Sequence, residues 1–176
     1  YGDEAGVCGF TDPDNRRTYP WGHEDQELIE FHRELIRIHK KNPACRIGSG
    51  KIILALHGII GLIRFTRDNQ VLAVVNNNEE GQKVSIPVWL GEVPNGALME
   101  RLILSVEDGF TLERACYLVT DGMIEIFLPP LSAAILRNRR DTKKHGKVVE
   151  RRKKKRITRG WLHDACNAWK HRNRSK

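Results

Sequence analysis

Between residues 10 and 17 the chain reads FTDPDNRR, with Asp12 and Arg16 four residues apart and Asp14 and Arg17 interleaved between and beyond them. A carboxylate accepts hydrogen bonds from neighbouring hydroxyls while a guanidinium donates in a planar fork, so an Asp and an Arg at this spacing on a loop suit a sugar-like ligand. The same spacing suits a salt bridge inside the loop, and the residues alone do not choose between the two. Asp3 and Glu4 are adjacent; neighbouring strand residues point to opposite faces, which places this couple poorly for acid–base work on one bond. Asp12 and Asp14 flank Pro13 in a loop whose geometry the sequence does not disclose. Independent hydrolysis by these acids is not expected, and no catalytic residue is assigned. His23, His32, His39 and His57 have neither HxxxH nor HExxH spacing, and Cys8, Cys45, Cys116 and Cys166 form no CxxC pair. No metal site is expected, and the cysteines read as free, mostly structural thiols.

The elements that must position these residues follow from periodicity. Residues 1–23 hold Gly2, Gly6, Gly9, Pro13, Pro20 and Gly22, which break both helical and strand patterns and predict a long shaped loop. Phe10, Tyr19 and Trp21 favour an ordered one. From residue 24 the pattern changes: Leu28, Phe31, Leu35 and Ile38 recur as one apolar face, widened by Ile29 and Ile36. Acids Glu24, Asp25 and Glu27 begin this stretch, and Arg37, His39, Lys40 and Lys41 end it, matching the helix dipole. A helix is predicted over 24–41, stopped by Pro43. Beyond it lie the β-type runs KIILALHG, IIGLIRFTR, QVLAVVNNN, QKVSIPVWL, ACYLVTDG and MIEIFLPPLSAAILR, with Asp68-Asn69 and Asp121-Gly122 as hairpin turns. Residues 47–137 are thus expected to form a small antiparallel β-sandwich of six to eight strands. Leu72, Val74, Ile124, Ile126 and Leu136 would lie in its core and Trp89 at its edge.

Charge divides the chain. Of 176 residues, 137–176 hold 17 Lys+Arg and 3 Asp+Glu, a balance of +14, leaving 13 basic and 19 acidic residues, or −6, for 1–136. The chain is too short for a whole (β/α)₈ barrel of about 250 residues. No apolar run is long enough to span a bilayer. The basic stretch, with its ERRKKKR block and Trp161 and Trp169, reads first as a solvated, disordered extension. The alternative is a non-enzymatic β-sandwich module whose polybasic tail grips nucleic acid or an anionic surface.

YGDEAGVCGFTDPDNRRTYPW resembles the segment following the eighth barrel strand in the α-amylase family of glycoside hydrolases, especially its neopullulanase, cyclomaltodextrinase and maltogenic amylase branch. DQELIEFHRELIRIHKKNPA looks like that family's last barrel helix, and VLAVVNNNEEGQKVSIPV and GMIEIFLPPLSAAIL look like strands of its C-terminal β-domain. The resemblance covers residues 1 to about 137. It implies a mixed fold: 1–43 the end of the eighth barrel strand, a substrate-side loop and the last barrel helix; 47–137 the antiparallel β-sandwich; 138–176 the basic tail. A retaining glycosidase needs two carboxylates about 5 Å apart. In the family these, with a helper, resemble positions on strands four, five and seven, which the resemblance places outside the chain, so inactivity alone is implied.

The implied ligand is an α-glucan oligosaccharide, from starch, pullulan or cyclodextrin, held by the complete barrel, with no cofactor. The implied partners are the missing N-terminal barrel segment and, for the full-length enzyme, a second copy in a homodimer. A bacterial protein is implied, cytoplasmic or alternatively secreted. Asp12 and Arg16 match the family's DPxxR pattern, whose Asp and Arg look like contacts to a glucose on the non-reducing side of the cleaved bond. Arg17 then reads as a loop anchor, Tyr19 and Trp21 as packing between loop and barrel, and Asp3 and Glu4 as support at a buried strand end. On its own, the domain is expected to expose the helix face of Leu28, Phe31 and Leu35.

Overall fold

A computed structural model describes residues 1–139. The basic stretch from residue 140 onward, with Cys166, Trp161 and Trp169, lies outside the described residues.

Helix α1 spans Gln26–Lys41 because Asp25 stands just outside it as its cap, Oδ1 accepting the Leu28 N–H at 2.9 Å. His39, Lys40 and Lys41 close its last turn, where the dipole favours cations. Pro43 does more than stop the helix. It opens a second, short one, α2, over Pro43–Ile47, at the first-turn position where a missing N–H is no loss. The buried Asn42 between them donates from Nδ2 to the Ile38 carbonyl at 2.7 Å.

Among the described residues nine strands follow rather than six to eight: β1 Ser49–Leu56, β2 Ile59–Thr66, β3 Asn69–Asn76, β4 Gln82–Ile86, β5 Leu98–Val106, β6 Gly109–Thr111, β7 Cys116–Leu118, β8 Ile124–Leu128 and β9 Ser132–Arg139. The larger sheet runs β1-β2-β3-β9-β5-β6, with β7 also on β5; β4 and β8 pair by themselves, and every pairing is antiparallel. β9 continues two residues beyond 137, so Asn138 and Arg139 are strand residues.

The departures from expectation have local causes. β5, nine residues long, falls where no strand is read from the sequence. Its register shifts between Arg101 and Ile103, so Leu102, Ile103 and Leu104 are all buried and the period-two signature disappears. The run MIEIFLPPLSAAILR holds two strands: Pro129, Pro130 and Leu131 separate β8 from β9, which enters the larger sheet between β3 and β5. QKVSIPVWL keeps its strand only to Ile86, since Pro87 has no N–H for a ladder. Trp89 therefore sits exposed on a 3₁₀ turn, Val88–Gly91, rather than on a sandwich edge. Thr66 pairs with Asn69, so the β2–β3 turn is Arg67-Asp68, one residue earlier than Asp68-Asn69. Asp121-Gly122 does form its turn, with φ 52° and 77° between the bridged Thr120 and Met123.

One face of the larger sheet packs against β4, β8 and the 3₁₀ turn, with Ile63, Leu72, Val74, Met99 and Leu136 meeting Ile86, Val88, Ile124, Ile126 and Leu128. α1 joins Leu102, Ile103, Phe110 and Ile135 through Phe31, Leu35 and Ile38. This corrects the expectation of an exposed helix face: Phe31 and Leu35 are half-buried, and the Phe31 and Phe110 rings lie 5.4 Å apart. The face had a partner within the chain, supplied by the unread β5 and β6.

Residues 1–23 contain no strand. Asp3–Ala5 is a 3₁₀ turn between two glycines in the left-handed region, Gly2 at φ 80° and Gly6 at φ 73°, and Asp3 and Glu4 are exposed. The buried strand end expected there is thus absent from the described residues. A strand needs a neighbour for its backbone hydrogen bonds, and those of residues 2–7 are spent on the local turn.

Candidate functional site

The loop that carries Asp12 and Arg16 leaves and returns at one place. The Asp25 N–H donates to the Ala5 carbonyl at 3.3 Å, so the residue that caps α1 also closes the neck of the loop. Within the loop, the Asp14 N–H donates to Thr11 O at 2.9 Å and the Arg16 N–H to Pro13 O at 3.0 Å. Two overlapping turns result, with Asp12 and Pro13 at the tip.

The structure brings Asp12 and Arg16 together. Arg16 Nε donates to Asp12 Oδ1 at 2.5 Å, in an ion pair whose side chains remain 76% and 59% exposed. Such a pair contributes little to stability, because water screens it. Its chemistry lies in what is left over: among the described residues the guanidinium's Nη groups and Asp12 Oδ2 have no partner. Donor and acceptor edges therefore stand side by side toward solvent, the arrangement that vicinal hydroxyls match.

Asp14 and Arg17 instead bond to each other and to the loop, with side chains 44% and 52% exposed. Asp14 Oδ1 accepts from Arg17 Nη2 at 2.8 Å and Nε at 3.2 Å, and Oδ2 accepts from Nη2 at 2.9 Å and from the Phe10 N–H at 3.0 Å. The Arg17 guanidinium, then the Phe10 N–H, hold the Asp14 carboxyl below its ordinary range, and Asp14 in turn holds the Arg17 proton more firmly. The Arg17 carbonyl also accepts the Tyr1 hydroxyl. The Tyr19 and Trp21 rings meet with centroids 4.5 Å apart and planes tilted by 48°, and Trp21 is 80% exposed. Loss of solvent, then the carboxylates of Glu4 and Glu24, push the Tyr19 phenol above its usual range.

A groove of about 480 Å³, absent from the sequence reading, lies between the start of α1 and the β5–β6 turn. Asp25, Glu27, Glu107 and Asp108 ring a floor that includes Leu28, Phe31 and Phe110. The signal for it was the EDG tripeptide at 107–109, a hairpin turn missed along with its strands. Cys8 and Cys116 are exposed, against the expectation of structural thiols; Cys45 is half-buried, and that burial raises its thiol above the usual range.

No protein-family model matches the chain. It is 27% identical over 147 residues to an amylopullulanase of Thermoanaerobacterium saccharolyticum, a match covering 77% of this chain and 11% of that protein. It is 35% identical over 95 residues to neopullulanase 2 of Thermoactinomyces vulgaris, covering 50% of this chain and 16% of the other. Among solved structures, an Anoxybacillus α-amylase superposes with a TM-score of 0.65 at 27% identity, over 78% of this chain and 28% of that one. The α-amylase of Geobacillus thermoleovorans, solved with acarbose, shares the fold with a TM-score of 0.66 at 22% identity, over 81% and 29% of the two chains. The chain thus spans only a minor part of the length of each of these proteins.

Proposed function

We propose that this chain, a relative of the α-amylase-family glycoside hydrolases in sequence and in its antiparallel β-domain, is the closing part of an α-glucan-acting retaining glycosidase. Residues 1–43 supply the end of its barrel and a substrate-side loop, 47–137 its C-terminal β-domain, and 138–176 a basic extension. The catalytic carboxylates belong to the preceding barrel, and the chain by itself is inactive. Its role in the assembled enzyme is to hold Asp12 and Arg16 against a glucose unit of starch, pullulan or a cyclodextrin. Acarbose bound to a protein of the same fold supports an oligosaccharide as the ligand class.

The observation that carries this reading is the exposed Asp12–Arg16 pair, with unspent donor and acceptor edges, on a loop whose neck is the cap of α1. The test is an assay of reducing-sugar release from starch, pullulan and β-cyclodextrin by the 176-residue chain and by a version extended upstream by its natural coding sequence. Activity in the extended protein alone is expected; activity in the short chain would overturn the reading. In the extended protein, Asp12→Ala and Arg16→Ala should each weaken maltopentaose binding about 10- to 100-fold, the loss of one or two hydrogen bonds to a charged group. Unchanged affinity in both variants removes the loop from the substrate site.

A further inference from the structure

We propose that Asp14 is the positioning residue of this site: its carboxylate clasps the loop into the one shape that turns Asp12 and Arg16 outward together. The inference rests on the reading of Asp12 and Arg16 as glucan contacts and adds a residue that touches no sugar.

The argument starts from what holds an exposed eight-residue arc. The backbone bonds of residues 11–16 close two small turns but do not tie the ends of the arc to each other. Asp14 does, because its two oxygens reach in opposite directions along the chain. Oδ2 takes the Phe10 N–H four residues before it, while both oxygens take the Arg17 guanidinium three residues after it. A planar carboxylate facing a planar guanidinium allows little rotation, and a charged acceptor shortens and strengthens each bond. Arg17 passes the constraint on, since its carbonyl receives the Tyr1 hydroxyl.

A second observation shows how tightly the arc closes. A Cβ placed on Gly9 would stand 2.7 Å from Asn15 Cα and 3.1 Å from the Asp14 carbonyl oxygen, both backbone atoms with no rotamer to yield. Only glycine lets the two limbs approach so closely. With the limbs in contact and both Asp14 oxygens committed to Phe10 and Arg17, the residues two positions to either side of Asp14 keep their side chains in solvent. Asp12 and Arg16 are those residues, 59% and 76% exposed against 44% and 52% for Asp14 and Arg17.

Two measurements test this. In the 176-residue chain, the Phe10 amide proton should follow the ionisation of Asp14 in a pH titration by NMR, with a midpoint below the ordinary carboxylate range. Arg17→Gln should move that midpoint up toward the ordinary value, while amides of β3 and β9 stay put. In the upstream-extended protein, Asp14→Asn and Gly9→Ala should each weaken maltopentaose binding about tenfold, although neither side chain meets the sugar. A Phe10 amide that stays flat through the acid range overturns the clasp. So does wild-type affinity in Asp14→Asn where Arg16→Ala binds more weakly. Should Asp12→Ala and Arg16→Ala both bind as wild type, the glucan reading fails, and the Phe10 titration alone decides whether Asp14 shapes the loop.

Discussion

Asn76 shows how much one polar side chain can organise once it is buried. Its Nδ2 donates to the Glu80 and Pro129 carbonyls at 3.0 and 2.8 Å, and its Oδ1 accepts the Asn78 N–H and Nδ2 at 3.1 and 2.9 Å. It thereby pins the β3–β4 connection to the chain between β8 and β9. Asn76→Ala strands several of these partners away from water and should cost about 2–3 kcal/mol in a denaturant melt. A loss under about 0.5 kcal/mol would show that water replaces the bonds without penalty. At the tip of the N-terminal loop the polar residues behave differently, because they remain exposed and screened. Asp14 is still informative there: its lowered pKa means that the clasp is intact above the ordinary Asp value and is lost as pH falls through the lowered one.

At the scale of elements, α1 and the loop share a single residue. Asp25 caps the helix with its side chain and closes the loop neck with its backbone N–H. Asp25→Ala removes only the side-chain bond, so it should destabilise the domain by about 1 kcal/mol while the neck persists. Thermal denaturation gives the first quantity and the protection of the Asp25-position amide against exchange gives the second; an unprotected amide would mean that cap and neck are one structure. The helix itself was legible from Leu28, Phe31, Leu35 and Ile38, because a 3.6-residue stripe over sixteen residues has no other reading. β5 was not, because a bulge at Arg101–Ile103 gave its apolar residues a spacing that belongs to neither period.

For the whole molecule, the question is whether helix and sandwich unfold as one. Ile38 is 4% exposed and sits with Leu102 and Ile103 in a cluster separate from the main core. Ile38→Ala should cost about 2–4 kcal/mol and keep a single transition, since α1 covers a sheet face that would otherwise meet water. Two transitions, seen by far-UV circular dichroism and by calorimetry, would make the helix an appendage instead of a layer.

What the sequence determined by itself was local: the helix and its polarity, the turn at Asp121-Gly122, the core positions Leu72, Val74, Ile124, Ile126 and Leu136, and the pairing potential of Asp12 with Arg16. Periodicity and four-residue spacing are properties of a short piece of chain, so they can be read there. Only the tertiary structure decided that β9 lies between β3 and β5, that α1 finds its partner in Leu102, Ile103, Phe110 and Ile135, and that Asp14 commits its oxygens to Phe10 and Arg17 while Asp12 and Arg16 keep free edges in solvent. Those outcomes depend on residues far apart in sequence sharing one surface, or, in the loop, on two backbone limbs meeting at Gly9; no local pattern encodes either.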